Sequence, residues 1–194
     1  MMNVSSTADQ ILACARSLII SGGYNGFSYA DIADVVGIRK PSIHHHFASK
    51  VELVRAVVSQ YRQEAEAGVA DLERHVADPV EQLSGYVKFW EKCITDSSAS
   101  FCVCALLASE LPALPPEVAL EVRGHFRALS AWVTSVLQRG ARQGRFQLAS
   151  KANVEAEALI ATVHGAMLSA RAYGDPKMFG IITTPLLRRL TTLD

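Results

Sequence analysis

Residues 32–50 read IADVVGIRKPSIHHHFASK, and this stretch decides the N-terminal fold. Two short helical patterns meet within it at Gly37, with only a few residues between them, as in a helix-turn-helix motif. Apolar residues share one face of each pattern and can close a small common core. From Arg39 to Lys50 the other positions carry cations, hydroxyls and imidazoles but no carboxylate. That composition suits a surface that meets phosphates and base edges.

Local signals around this stretch support the same interpretation. Ser28 and Asp31 are spaced as a helix N-cap followed by an acid at the third helical position, which predicts where the second helix begins. Gly37 supplies the backbone freedom for the turn. Pro41 falls in the first turn of the next helix, where a missing N–H costs nothing.

The rest of the chain is helical in pattern throughout. Apolar residues recur at helical spacing between Gly and Pro breakers, and no strand-like alternation is found. We therefore predict an all-α protein of about nine helices. Pro185 is expected to kink the last segment, 177–193, or to open a second short helix there.

Composition restricts the class of protein. The 194 residues have a formal net charge of zero and 49% hydrophobic residues, enough for a buried core. Charge is segregated, because residues 61–121 hold four basic and eleven acidic side chains, so any DNA contact must be confined to a small patch. With no signal sequence and no apolar run near the ~18 residues of a spanning helix, we expect a cytoplasmic protein.

A set of residues in the first 55 positions forms a recognisable signature: Gly23-Tyr24, Ser28, Asp31-Ile32-Ala33, Gly37-Ile38, Ile43, His46-Phe47, Lys50 and Leu53. Over about residues 8–55 this signature resembles the N-terminal domain of tetracycline-repressor-type (TetR-family) transcriptional regulators. Beyond it, the resemblance rests on helix count and lengths and on a weaker likeness of FCVCALLASEL and HGAMLSARAYGD to one branch of that family.

The resemblance implies a fold, partners and a function. It implies an all-α homodimer with a helix-turn-helix DNA-binding domain at 1–50 and an effector-binding and dimerisation bundle at 51–194. The dimer would form through the last two long helical segments, about 153–172 and 177–193. We expect a repressor released from a palindromic double-stranded DNA operator by a small apolar or reactive effector. Catalytic residues, cofactors and membrane attachment are not expected.

The resemblance also implies which residues contact DNA, according to their positions in the signature. The resemblance puts Ser28 and Lys50 on phosphates and the start of the third helix near bases. His44 stands where the family usually has Tyr, and protonation of an imidazole beside phosphate would make operator affinity rise as pH falls. The predicted DNA-binding set is Ser28, Arg39, Lys40, Pro41, Ser42, His44, His45, His46 and Lys50.

This surface allows two other interpretations. Three consecutive histidines invite a metal site, but successive helical residues point ~100° apart and chelation from one helix face needs i, i+4 spacing. We therefore predict no metal site. The basic residues could also be ordinary solvated charges, although the helix-turn-helix pattern coincides with the acid-free face.

Cys102 and Cys104 form a C-x-C pair near Cys93. One branch of the family includes members that sense reactive compounds through a cysteine near the position of Cys102, so the pair is a possible redox sensor. The alternative is plain core, because cysteine is among the most buried residue types and thiol reactivity requires access and a lowered pKa.

An effector pocket is expected among aromatic and apolar residues of the C-terminal region, with His164 able to hydrogen-bond a ligand. The same residue types also make ordinary core. The predicted pocket residues are Phe89, Trp90, Cys93, Phe101, Cys102, Leu107, Phe126, His164 and Met167, with Trp132 a further candidate.

Rival functions are an enzyme or metal-binding helical bundle with a helix-turn-helix appendage, and an architectural DNA-binding protein that senses nothing. The C-terminal sequence lacks HExxH, paired Glu-x-x-His, a Gly-rich phosphate loop and a Ser/His/Asp cluster at a turn. We therefore expect no enzyme.

Overall fold

The computed structural model describes residues 6–96 and 101–191, and most of these residues lie in helices. They contain nine α-helices, a 3-10 turn at Leu111–Ala113 and one isolated bridge between Phe146 and Thr191. The predicted all-α class and helix number are confirmed. The helices are α1 (Thr7–Gly22), α2 (Tyr29–Val36), α3 (Lys40–His46), α4 (Lys50–His75), α5 (Pro79–Thr95), α6 (Val103–Ser109), α7 (Pro116–Arg142), α8 (Ala152–Tyr173) and α9 (Lys177–Leu190).

Short-range signals set the first three helices. The Ser28 hydroxyl accepts a hydrogen bond from the Ala30 N–H, and the Asp31 carboxylate accepts one from the Ser28 N–H at 2.7 Å. Gly37 ends α2 with a left-handed backbone (φ 74°) that favours glycine. Pro41 lies in the first turn of α3. The boundaries of α2 and α3 therefore follow from residues adjacent in sequence.

The chain packs as two compact units. Unit 1 comprises Met1–Glu64 and Cys102–His125, and unit 2 comprises Ala65–Phe101 and Phe126–Asp194. Helices α4 and α7 contribute residues to both. Unit 1 extends beyond α1–α3 because α6 packs on α1. The functional boundary predicted at residue 50 remains a prediction, and the packing boundary lies elsewhere.

The core of unit 1 joins α1, α2 and α3 through branched side chains. Ile11 and Ile19 of α1, Ile32 of α2 and Ile43 of α3 are fully buried. Phe47, just after α3, is 8% exposed. Burial of such side chains stabilises by roughly 1.5–3 kcal/mol each, so one apolar cluster fixes the position of α3.

Unit 2 is organised around the α8–α9 pair, on which α5 packs. Arg139 of α7 donates hydrogen bonds from one nitrogen to Glu73 and to Gln82, each at 2.7 Å. The amide of Gln82, 3% exposed, donates in turn to the Val76 carbonyl at 2.6 Å. This network ties the end of α4 and the start of α5 to α7.

Helix α9 continues through Pro185, so the expected division into two helices does not occur. Pro185 lies on the exposed side, where its ring meets solvent rather than a neighbouring helix. Among the described helices, none has both the length and the apolar character needed to cross a bilayer.

Candidate nucleic-acid interface and effector region

Helix α3 presents almost its whole surface to solvent. Ile43 is its one buried residue, and it anchors the helix in the core of unit 1. The side chains predicted to meet DNA at this helix are all exposed: Arg39, Lys40, Pro41, Ser42, His44, His45 and His46. The structure thus brings these predicted residues together on one accessible surface.

The Ser28 hydroxyl, predicted to contact phosphate, already makes hydrogen bonds within the chain. Its hydroxyl donates to the Asp31 carboxylate at 2.8 Å while accepting from the Ala30 N–H. These bonds to Ser28 lower the pKa of Asp31. A hydroxyl has a single donor, so Ser28 fixes the start of α2 and must rotate before it can donate to phosphate.

Lys50 is half-buried. Its Nζ donates to the Phe27 carbonyl and lies 4.2 Å from the centre of the Phe27 ring and 5.0 Å from that of Tyr24. Burial lowers the pKa of Lys50. An ammonium has three donors, so Lys50 can hold the α1–α2 turn against the start of α4 and still offer N–H groups outward.

The three histidines do not converge on one point. The His44 ring packs against Tyr29 with ring centres 4.8 Å apart, and its Nδ1 lies 3.3 Å from the Ala48 carbonyl. His45 and His46 meet edge to face at 5.4 Å. Within residues 6–96 and 101–191, no group of three His, Cys, Asp or Glu side chains is arranged to hold a metal ion.

The start of α1 lies beside the exposed surface of α3, and the sequence did not predict this neighbour. A surface concavity of about 470 Å³ is lined by Thr7 and Ile38 together with Pro41, Ser42, His45 and His46. The Ser6–Asp9 capping box marks where α1 begins. Its position beside α3 depends on contacts some thirty residues apart in sequence, which no local pattern reports.

Cys102 and Cys104 lie in the interior of unit 1, and both are 0% exposed. The Cys102 Sγ is 3.9 Å from the His125 Nε2, and the His125 ring packs on Tyr61 at 5.3 Å. Burial raises the pKa of both thiols. In this conformation neither cysteine is an accessible thiolate, which is the form that reacts.

The predicted pocket residues are divided between the two units. Cys102 and Leu107 belong to unit 1 and are fully buried there. Phe89 is 57% exposed, because it is rotated by ~100° from its buried neighbour Trp90 on α5, and it does not belong to an interior site. The remaining residues are all in unit 2: Trp90, Cys93, Phe101, Phe126, His164 and Met167.

His164 is the one histidine among them. Its ring meets Phe126 edge to face with centres 5.4 Å apart. Burial lowers the pKa of His164 to about 4, so the imidazole is neutral at pH 7. Trp132 is also interior, at 8% exposed, with its ring 5.5 Å from that of Tyr86.

Two family models match the chain. Residues 11–57 match the model described as bacterial regulatory proteins, tetR family, and residues 79–184 match the tetracyclin repressor-like C-terminal domain. A solved structure of a TetR-family transcriptional regulator from Agrobacterium tumefaciens is similar over 95% of this chain and 97% of its own. The two share 64% sequence identity with a TM-score of 0.94.

Two curated relatives are more distant. The HTH-type transcriptional repressor KstR2 of Mycobacterium tuberculosis is 28% identical over 144 residues, covering 74% of this chain and 71% of the relative. The HTH-type transcriptional activator FasR of Mycolicibacterium smegmatis is 27% identical over 130 residues, covering 67% of this chain and 58% of the relative. By name, all of these proteins are transcriptional regulators, which does not favour an enzyme with a DNA-binding appendage.

Proposed function

Because the chain belongs to the TetR family of bacterial regulatory proteins, we propose that it is a dimeric repressor released from its operator by a small, largely apolar molecule. It is a ligand-responsive, DNA-binding transcriptional regulator, as the family is. The proposal adds the direction of regulation, the effector class and the surfaces used. A regulator of operator DNA acts in the cytoplasm.

The acid-free face of α3 is the observation that carries the DNA-binding assignment. Seven exposed residues from Arg39 to His46 combine cations, a hydroxyl and imidazoles around the single buried anchor Ile43. Recognition helices read the major groove with such N-terminal side chains, while flanking cations meet phosphate. The nine residues predicted from the sequence are the proposed contacts, with Thr7 added.

A second copy of the chain is the proposed partner of α8 and α9. Six residues along α8 are exposed at alternating steps of four and three, and all are apolar or small: Val154, Ala158, Ala161, Gly165, Leu168 and Ala172. Ile181 on α9 is 60% exposed. A Cβ added at Gly165 would meet nothing within 4 Å, so another helix can approach closely there.

Unit 2 is the proposed effector region, and the effector is proposed to bind without covalent chemistry. The buried thiols with raised pKa values do not support a reactive-compound sensor in this conformation. Helix α4 runs from Lys50 into unit 2, so it is the proposed lever. Release requires that the effector prefer the non-binding state of the dimer, and the shift cannot exceed that preference.

Selection of genomic DNA fragments by the purified protein tests the proposal. We expect recovery of a palindromic site, and the same fragment placed ahead of a reporter should be transcribed less when the protein is present. Fragments recovered without a shared sequence would contradict operator binding. Higher transcription from the selected fragment would contradict repression while leaving sequence-specific binding intact.

A further inference from the structure

Three buried nitrogens in unit 2 have no hydrogen-bond partner among the described residues: Nε1 of Trp90 on α5, Nε1 of Trp132 on α7 and Nε2 of His164 on α8. We call them the orphan nitrogens. Trp90 is 6% exposed and Trp132 8%, so solvent does not compensate them. A buried polar group left unpaired costs roughly 1–3 kcal/mol, and native proteins contain few of them. Three in one unit therefore call for an explanation.

The orphan nitrogens lie on three helices that pack on one another. Tyr86 of α5 packs on Trp132 of α7, and Phe126 of α7 packs on His164 of α8. Helix α5 also contacts α8. We call these four side chains, together with Trp90, the aromatic layer.

The surroundings of this layer are apolar and uncharged. In the described part of unit 2 the buried polar residues are Gln82 and Thr183, and no Asp, Glu, Lys or Arg is buried. The Thr183 hydroxyl donates to the Phe179 carbonyl, and Gln82 bonds Arg139 and Val76. An indole N–H donates only, whereas a neutral imidazole nitrogen donates or accepts.

We propose that the effector is a neutral, mainly apolar molecule with carbonyl or ether oxygens that accept hydrogen bonds from the Trp90 and Trp132 indoles and pair with His164. The inference rests on the proposed role of unit 2 as effector region. A hydrocarbon of the same shape leaves the orphan nitrogens unpaired and binds more weakly. A charged ligand is disfavoured, because no Asp, Glu, Lys or Arg is buried among the described residues of unit 2.

Nuclear magnetic resonance of the full-length protein tests this directly, because the chain has only two tryptophans and hence two indole N–H signals. The probes are acetophenone and ethylbenzene, which differ by a carbonyl group in place of a methylene. We expect acetophenone to move both indole signals downfield and to bind about tenfold more tightly than ethylbenzene. Equal affinities, or indole signals that acetophenone leaves in place, would overturn the inference.

Two variants assign the effect to the nitrogens. Trp90→Phe and Trp132→Phe each keep an aromatic ring and remove one N–H, so each should reduce the preference for acetophenone over ethylbenzene. An unchanged preference in both variants would count against the pairing. If a variant does not fold, the comparison of the two probes on the unmodified protein decides.

Operator release is measured separately with the same probes. Acetophenone that engages both indoles without weakening operator binding would support the pairing and contradict the effector role of unit 2. If the protein binds its operator but acetophenone does not shift the indole signals, the pairing is overturned and the proposed function is not.

Discussion

The helices α1–α3 of unit 1 and the helices α5, α7 and α8 of unit 2 satisfy their polar groups in different ways. In described α1–α3 no buried side-chain nitrogen or oxygen lacks a partner, and Ser28 and Asp31 pair within one helical turn. In the described part of unit 2, buried nitrogens of Trp90, Trp132 and His164 have no hydrogen-bond partner. The same unit exposes the apolar stripe of α8.

The two regions therefore depend on different partners. The polar side chains of α1–α3 find their hydrogen-bond partners within the chain. Helix α3 is therefore already formed in the absence of DNA, and binding needs little reorganisation. Unit 2 leaves both interior hydrogen-bonding groups and an apolar surface unsatisfied, and we infer that these are completed from outside the chain. An effector and a second copy are the proposed sources.

The uncovered α8 stripe gives the largest expected effect. Gly165→Leu adds a side chain that the isolated chain accommodates, because nothing lies within 4 Å, but that obstructs another helix. We expect a monomer by analytical ultracentrifugation and a loss of operator affinity on the order of 10²–10⁴, as two linked half-site contacts become one. Gly68→Leu on α4, equally open, is the control and should remain dimeric. A dimeric Gly165→Leu protein would show that α8 is not the interface.

The interior of unit 2 should be sensitive to acid through His164. The pKa of His164 is about 4 in the folded protein, below the ordinary 6.5. Between these two pH values the unfolded chain binds a proton at His164 and the native protein does not. The free energy of unfolding is therefore unaffected by His164 above pH 6.5, and it decreases as pH falls towards 4, by at most about 3 kcal/mol. Urea unfolding from pH 7 to 4.5 should show a shallower loss in His164→Gln. The exposed His75→Gln variant should keep the slope of the unmodified protein, and equal slopes in all three would contradict this account.

Substitution of two lysines in unit 1 distinguishes an effect on folding stability from an effect on DNA binding. Lys50→Ala removes the bond to the Phe27 carbonyl and the contacts with two rings, so the free energy of unfolding should fall by about 1–2 kcal/mol and operator affinity with it. Lys40→Ala, at an exposed position, should leave stability unchanged while weakening binding to all DNA sequences. For Lys40→Ala, the slope of log binding constant against log salt concentration should become shallower by about one unit. A Lys50→Ala protein as stable as the unmodified one would refute the tie to the α1–α2 turn.

The smallest effect is expected at His44. A protonated imidazole beside phosphate favours binding, so operator affinity should rise a few-fold from pH 8 to pH 6. His44→Tyr should flatten the profile measured by fluorescence anisotropy. A flat profile in the unmodified protein would dispose of the pH response.

The sequence was sufficient for those features that short-range chemistry determines. The beginning of α2 at Ser28, its end at Gly37 and Pro41 in the first turn of α3 depend on residues within one helical turn. The half-buried position of Lys50 and the place of Thr7 beside α3 depend on contacts between separate helices. Neither composition nor periodicity encodes which helices meet.

The effector region was less predictable for the same reason. Residue type and apolar pattern predicted Trp90 and His164 as pocket residues, but they could not separate Phe89 from Trp90 or assign Cys102 and Leu107 to unit 1. Whether a buried nitrogen finds a partner depends on the facing helix, so the orphan nitrogens were invisible in the sequence.

Hydroxyl-radical footprinting of the protein on its selected operator tests whether the protein binds a palindromic operator as a dimer. Two recognition helices of a dimer should protect two half-sites with centres ~34 Å apart on one side of the duplex. The Gly165→Leu variant should lose both protected regions at the same concentration. A single protected half-site with the unmodified protein, or protection that does not depend on sequence, would contradict the account of a dimeric operator-binding regulator.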